Sequence, residues 1–270
     1  MQKTYIVIAL DRSYSMRHAK EATLRGLNEQ IAKIRKDAEE PGPETFVSFY
    51  TFNRTVTPVY KLKSVNFLND IKPDEYIPDG GTALYDGIGV PILDIVRETE
   101  VDNPDNSYLF IGVSDGIEDP VGCSQRFNRQ SLAKLITGFK DQNPCRWTFT
   151  YLGANQDLGK VQDMGFGAGN VANYSANLKG SEVAWAHTNR NLDNYLKLRK
   201  RGVTALKSFH SNAGGIADYS KLDMNSIPSD FDYSQLILEK ADPAKVVDID
   251  AVMRQRTNVK LNKAVTSCKM

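Results

Sequence analysis

Residues 4–10 (TYIVIAL) form a continuous apolar run bounded by polar residues. Such a run has no polar face to turn to water, so it reads as a strand buried on both sides. A strand of that kind needs covering layers above and below, and the rest of the chain supplies them. Leu24, Leu27, Ile31 and Ile34 recur at helical spacing until Pro41-Gly42-Pro43 ends the segment. Residues 46–52 are again strand-like. Two residues, Asn53-Arg54, separate them from a second strand over 55–62, so that pair reads as a hairpin with an antiparallel partner. Pro58 assigns the partner to a sheet edge.

The alternation continues. Residues 83–96 are amphipathic, with Pro91 in their middle arguing against one unbroken helix. Residues 108–113 are a third buried strand, 132–139 a helix, 147–152 a strand, 158–164 a short helix and 171–175 a last short strand. A long helix is expected from Ser181 to about Phe209. The order β-α-β-β-α-β-α-β-α-β-α predicts an α/β, Rossmann-like, doubly wound and mostly parallel sheet with one antiparallel edge strand. This domain is assigned to residues 1–210. Residues 211–235, rich in Ser, Asn, Gly and Asp, read as a linker. Residues 236–270 read as a C-terminal extension too short for a core of its own, and therefore as a docking or anchoring segment.

Composition narrows the function classes. Lys+Arg 34 against Asp+Glu 33 leaves a net charge of +1, which argues against a dedicated nucleic-acid binder. No apolar run reaches bilayer-spanning length, and the first apolar stretch is too short for a signal peptide. Cys123, Cys145 and Cys268 are too few and scattered for a disulfide framework or a metal knuckle. The expectation is a soluble cytoplasmic protein without membrane or nucleic-acid partners, or a virion protein if phage-encoded.

Ligands of an open parallel sheet bind beyond the carboxyl ends of its strands. There the first strand ends in Asp11-Arg12-Ser13-Tyr14-Ser15, a mid-chain loop carries Gly80-Gly81-Thr82, and the third buried strand ends in Ser114-Asp115-Gly116. Two carboxylates and three hydroxyls on one rim suit a hard divalent cation, which takes oxygen ligands and keeps part of its hydration. Asp11, Ser13, Ser15, Thr82 and Asp115 are the candidate metal residues, with Mg²⁺ or Mn²⁺ as the ion.

These three motifs, in this order, resemble the metal-ion-dependent adhesion site of von Willebrand factor type A domains. The stretches DRSYSM, DGGTALYDGIG, VSDGIED and WTFTYLGANQD are similar to small stand-alone type A proteins of bacteria and tailed phages, of the tellurium-resistance-associated type. The resemblance covers about residues 3–209. It implies that Ser13, Ser15 and Thr82 touch the metal while Asp11 and Asp115 act mostly through water. Position 14 departs from the pattern: Tyr stands where close relatives usually have Gly, and its ring either shields the metal or joins the partner surface.

Other motifs carry less. Gly165-Phe166-Gly167-Ala168-Gly169 lacks dinucleotide spacing and precedes a strand, so it reads as a turn. No phosphate-binding P-loop is present. The basic run Lys197, Arg199, Lys200 and Arg201 reads as a solvated helix end. His18, His187 and His210 show no catalytic or ligand spacing. The expected function is a non-catalytic, metal-dependent protein-binding module whose ion coordinates an Asp or Glu carboxylate of a partner. The alternatives are a structural component, of a phage particle or another assembly, anchored through residues 236–270, and a metal-assisted phosphohydrolase.

Overall fold

The computed structural model describes residues 2–142, 146–154, 156–210 and 215–224. Seven strands, β1 (Lys3–Asp11), β2 (Glu44–Phe52), β3 (Val56–Ser64), β4 (Asn106–Ser114), β5 (Trp147–Ala154), β6 (Val171–Tyr174) and β7 (Ala217–Asp218), form one sheet in the order β3-β2-β1-β4-β5-β6-β7. Every pairing is parallel except β2 with β3 at the edge. The expected fold class is observed. Pro58 sits opposite Tyr50 on the edge strand, where its missing N–H is not needed by a further neighbour.

Alternation along the central strands explains the unbroken apolar runs. Ile6, Ile8 and Leu10 of β1 face α1 (Lys20–Asp37) and α5 (Leu178–Lys200), with Leu27, Ile31, Trp185 and Leu192 in the same cluster. Tyr5, Val7 and Ala9 face the other layer, made by α2 (Leu84–Glu98) and α3 (Arg129–Gln142), with Ile88, Ile92, Leu132 and Ile136. A short helix α4 (Leu158–Gln162) adds Val161 to that layer.

Three element readings change. The hairpin loop is three residues, Asn53 to Thr55, because the Asn53 side chain accepts from the Thr55 amide and closes the turn. Helix α2 runs unbroken through Pro91. A mid-helix proline costs about 3 kcal/mol, but Ile88, Ile92, Leu93 and Ile95 are all buried on that helix, and each contributes about 1.5–3 kcal/mol. Helix α5 spans Leu178–Lys200 rather than 181–209. Asn177 caps its start by accepting from the Gly180 amide. Its end is a Schellman motif: Gly202 N–H donates to Arg199, Val203 N–H donates to Leu198, and Gly202 takes φ 87°, a conformation that favours glycine.

The basic run is not wholly solvated. Arg199 is buried, donating from Nε to Thr4 Oγ1 at 3.0 Å and from its terminal nitrogens to the Val203 and Lys3 carbonyls. It ties the end of α5 to the start of β1. Lys200 pairs with Asp37 at 2.7 Å and Glu40 at 3.0 Å.

Part of the stretch read as linker is built into the domain. β7 pairs with Ala172 and Asn173 of β6, and Tyr219 beyond it is buried against His187 and His210. The strand is only Ala217 and Asp218, too short to show a period in the sequence. The extension over 236–270 lies outside the described residues, as do Cys145 and Cys268, while Cys123 is a free thiol. No helix among the described residues is long and apolar enough to cross a membrane.

Candidate metal centre

All five sequence-predicted residues arrive at the carboxyl end of the sheet, on three loops stitched together by backbone hydrogen bonds. Asp11 is the last residue of β1, held from below by the Tyr76 hydroxyl, which donates to its carbonyl at 2.8 Å. The loop after it is tied to the glycine loop twice: Tyr14 N–H donates to the Gly80 carbonyl at 3.0 Å, and Asp79 N–H to the Arg12 carbonyl at 2.7 Å. Thr82 is locked to the third loop by an antiparallel bridge, Thr82 N–H to Asp119 O at 2.6 Å and Asp119 N–H to Thr82 O at 2.9 Å. Gly81 is required by that bridge, because a Cβ there would overlap the Asp119 carbonyl.

Within this frame the polar atoms converge. Ser13 N–H donates to Asp11 Oδ1 at 2.6 Å, and the Ser13 and Ser15 hydroxyls are 3.1 Å apart. Ser15 Oγ donates to Asp115 Oδ1 at 2.6 Å, and Ser114 Oγ donates to Asp11 Oδ2 at 2.6 Å. Thr82 Oγ1 and Asp11 Oδ2 flank Gly116, lying 3.5 and 4.0 Å from where its Cβ would stand. Among the described residues no side chain hydrogen-bonds to Thr82 Oγ1.

The electrostatics fit a cation. Asp11 is fully buried, and that burial pushes its carboxyl up to about 7 despite the hydrogen bonds from Ser114 and Ser13. Asp115, half-buried, is also raised by burial, with the Ser15 hydroxyl and the charge of His18 pulling the other way. Among the described residues neither carboxylate is in an ion pair, and the hydrogen bonds to them and the charge of His18 do not offset their burial. Two carboxylates without an ion-pair partner among the described residues, three hydroxyls and the space beside Gly116 are the kind of donor set and cradle that a hard divalent ion takes. The described residues hold no group of three or more His, Cys, Asp or Glu side chains suited to a metal, so hydroxyls must complete any shell here.

Tyr14 is exposed, with the Arg17 guanidinium over its ring at 3.3 Å from the centroid. His187 and His210 are buried on the α5 side of the sheet, while His18 is exposed beside the rim.

Residues that the sequence reading did not single out complete the centre. Ser114 orients Asp11 and accepts from Gly116 N–H at 3.1 Å. The Gln156 amide donates to the Ser114 and Gly116 carbonyls at 3.0 and 2.8 Å, fixing the loop that carries Asp115. Asp86, in the first turn of α2, accepts from the backbone amides of Gln125, Arg126 and Phe127. Glu118 accepts from the Ser124 hydroxyl at 2.8 Å. All stand inside or beside the quoted motifs, but only proximity to the ligands marked them.

The fold and the rim together define a doubly wound α/β domain with a hydroxyl-and-carboxylate centre at its carboxyl edge. No protein-family model matches the chain, and no curated protein matches it. Solved structures that resemble it include proximal thread matrix protein 1 from the mussel byssus, at 14% identity and TM-score 0.48 over 75% of this chain and 46% of that one. This chain thus spans just under half the length of the mussel protein, which has also been solved with a zinc-occupied MIDAS motif. The PilB minor pilin of Streptococcus sanguinis is similar at 11% identity and TM-score 0.49, over 75% of this chain and 62% of that one. The SpRpn10 VWA domain is similar at 12% identity and TM-score 0.47, over 69% of this chain and 95% of the domain.

Proposed function

We propose that this chain is a non-catalytic, metal-dependent protein-binding module. Asp11, Ser13, Ser15, Thr82 and Asp115 would hold Mg²⁺ or Mn²⁺, and a partner's Asp or Glu carboxylate would complete the shell. The observation that carries this reading is Asp11: a fully buried carboxylate, raised to about 7 and without a basic partner among the described residues. Burying an unpaired charge is costly unless something compensates it. A divalent ion supplies that compensation and, when bound, a Lewis-acidic position for an outside carboxylate.

The chain's own residues do the positioning. Ser13 N–H and Ser114 Oγ fix the two oxygens of Asp11, Ser15 orients Asp115, and the Asp119 bridge sets the height of Thr82. Support for a non-catalytic role comes from the histidines: among the described residues none hydrogen-bonds to any of the five, and a metal-assisted hydrolase needs a placed base or activated water.

The test is calorimetric titration of the full chain with Mg²⁺ and Mn²⁺, beside Asp11→Ala. Binding to the wild type alone is expected, and equal heats from both proteins would refute the assignment. A parallel assay with a generic phosphomonoester should show no turnover. Metal-dependent turnover that disappears in His18→Ala would replace the binding module with an enzyme.

A further inference from the structure

The loop that carries Asp115 does not end at the metal rim. It runs on through Gly116 and Ile117 into the wall of a cleft of about 550 Å³, lined by Leu84, Ile117, Val121, Phe127, Val161 and Met164. Consecutive Cα atoms are about 3.8 Å apart, so the lip at Ile117 stands two steps from a proposed ligand. Ile117 is 57% exposed and Val121 97% exposed. Two large apolar side chains turned to water at the mouth of an apolar cleft mark a contact surface rather than a random exposure.

The charges around the cleft say what would fill it. Arg129 pairs with Asp163 at 3.1 Å and Lys160 lies 4.0 Å from Asp157, so the basic groups at the mouth are already matched from within. Glu118, the remaining charged group of the lining, is taken up by the Ser124 amide and hydroxyl, so the cleft offers no unpaired charged group to a visitor, whereas the adjoining rim, once metal-loaded, attracts a carboxylate. A complementary segment is acidic at one point and apolar a residue or two away.

From this we infer that the cleft is the second half of the recognition surface, taking a bulky apolar side chain of an extended partner peptide whose Asp or Glu reaches the metal rim. The inference rests on the proposed metal-dependent binding. Gln156 joins the halves physically: it lines the cleft and donates to the carbonyls on either side of Asp115. Filling the cleft packs against the residue that holds the ligand loop in place.

The experiment is selection from a random peptide library displayed on phage, against the immobilised full chain in Mg²⁺ with EDTA elution. Selected peptides are then synthesised and titrated against the wild type, Asp11→Ala and Val121→Glu. Val121 is too exposed for its substitution to disturb folding. The expected consensus is one carboxylate with a Leu, Ile, Met or Phe within three positions. Asp11→Ala should abolish binding, and Val121→Glu should weaken it at least tenfold, about 1.4 kcal/mol, with Mg²⁺ affinity unchanged. A carboxylate-only consensus, or full affinity in Val121→Glu, overturns the cleft inference and leaves the metal reading standing. Retention of binding in Asp11→Ala, or no enrichment at all, overturns the inference; only the former also removes the metal reading. Self-association of the chain that Val121→Glu abolishes would assign the cleft to a second copy and overturn the peptide assignment.

Discussion

Replacing Asp11 by Asn separates what the buried carboxylate does for the fold from what it does for a ligand. Its oxygens accept from Ser13 N–H and Ser114 Oγ, both at 2.6 Å. An Asn keeps one acceptor for the Ser13 amide, and its NH₂ can donate to Ser114 Oγ once that hydroxyl turns. The variant is therefore nearly isosteric and loses mainly the charge. Burial moves the carboxyl from its ordinary 3.8 to about 7, a span of about 3 pH units, worth about 4 kcal/mol at 1.36 kcal/mol per unit.

The folded-state value lies above the unfolded one. The penalty is thus absent below about pH 4, grows as pH rises and is complete above 7. At about pH 8 in EDTA, Asp11→Asn should be more stable than the wild type by up to about 4 kcal/mol. Adding Mg²⁺ should reverse the advantage: a ligand at a hundredfold over its Kd adds about 2.7 kcal/mol to the protein that binds it, and the variant should gain nothing. Urea denaturation followed by tryptophan fluorescence, with and without Mg²⁺, measures both effects. If Asp11→Asn is the less stable protein in EDTA, local dipoles already compensate the carboxylate and the argument for a cation fails. The argument fails equally if both proteins gain alike from Mg²⁺.

Three further outcomes are expected. In Gly116→Ala the new methyl meets only Thr82 Oγ1 at 3.5 Å and Asp11 Oδ2 at 4.0 Å, so the fold should survive while Mg²⁺ affinity by calorimetry falls at least tenfold; unchanged affinity would show that the space between those oxygens is not the ion's. His210 is buried with Nε2 on Thr150 Oγ1 and Nδ1 on the Tyr219 hydroxyl, and burial lowers it from 6.5 to about 3. The unfolded chain then takes up a proton that the folded one refuses, so this residue should erode stability by up to about 1.4 kcal/mol per pH unit as pH falls below 6.5; His210→Gln should flatten that slope, and parallel curves for both proteins would sink the idea. Asp86→Ala strips an acceptor from three backbone amides and should cost at least about 3 kcal/mol, with faster hydrogen exchange at residues 125–127; unprotected amides there in the wild type would contradict the clamp.

What the sequence disclosed and what it hid follow one physical division. The central strands were legible because residues buried on both faces leave an unbroken apolar run, as in β1 and β4. The candidate metal residues stood out because Asp11, Ser13, Ser15 and Asp115 end or closely follow such strands, and Thr82 because it follows a Gly-Gly pair just before α2. The end of α5 was written in Gly202 but outweighed by the apolar residues beyond it: Ala205, Leu206 and Phe209 are buried, yet they pack from an irregular segment rather than a helix. β7 was hidden because a two-residue strand has no period, and its docking depends on Tyr219 meeting His210, nine residues back, and His187 on α5. Arg199 looked like a surface charge because two of its three acceptors, Thr4 Oγ1 and the Lys3 carbonyl, lie nearly two hundred residues away on β1.

The same division explains how the centre can be ready before any ion arrives. Its candidate ligands stand on loops, the segments most prone to move, yet the bonds from Tyr14 to Gly80, Asp79 to Arg12 and Thr82 to Asp119 are all backbone to backbone. They fix the relative positions of the loops without using the oxygens a metal needs. The side-chain bonds are of another kind: Ser15 to Asp115 and Ser13 to Ser15 join candidate ligands to one another, and the proposed ion would replace them. On the proposed reading, loading would exchange these hydroxyl contacts, the Ser15–Asp115 one charge-assisted, for metal–oxygen ones while the frame stays put. The frame continues through Gly116 and Gln156 into the cleft wall, so whatever presses on the cleft presses on the Asp115 loop as well.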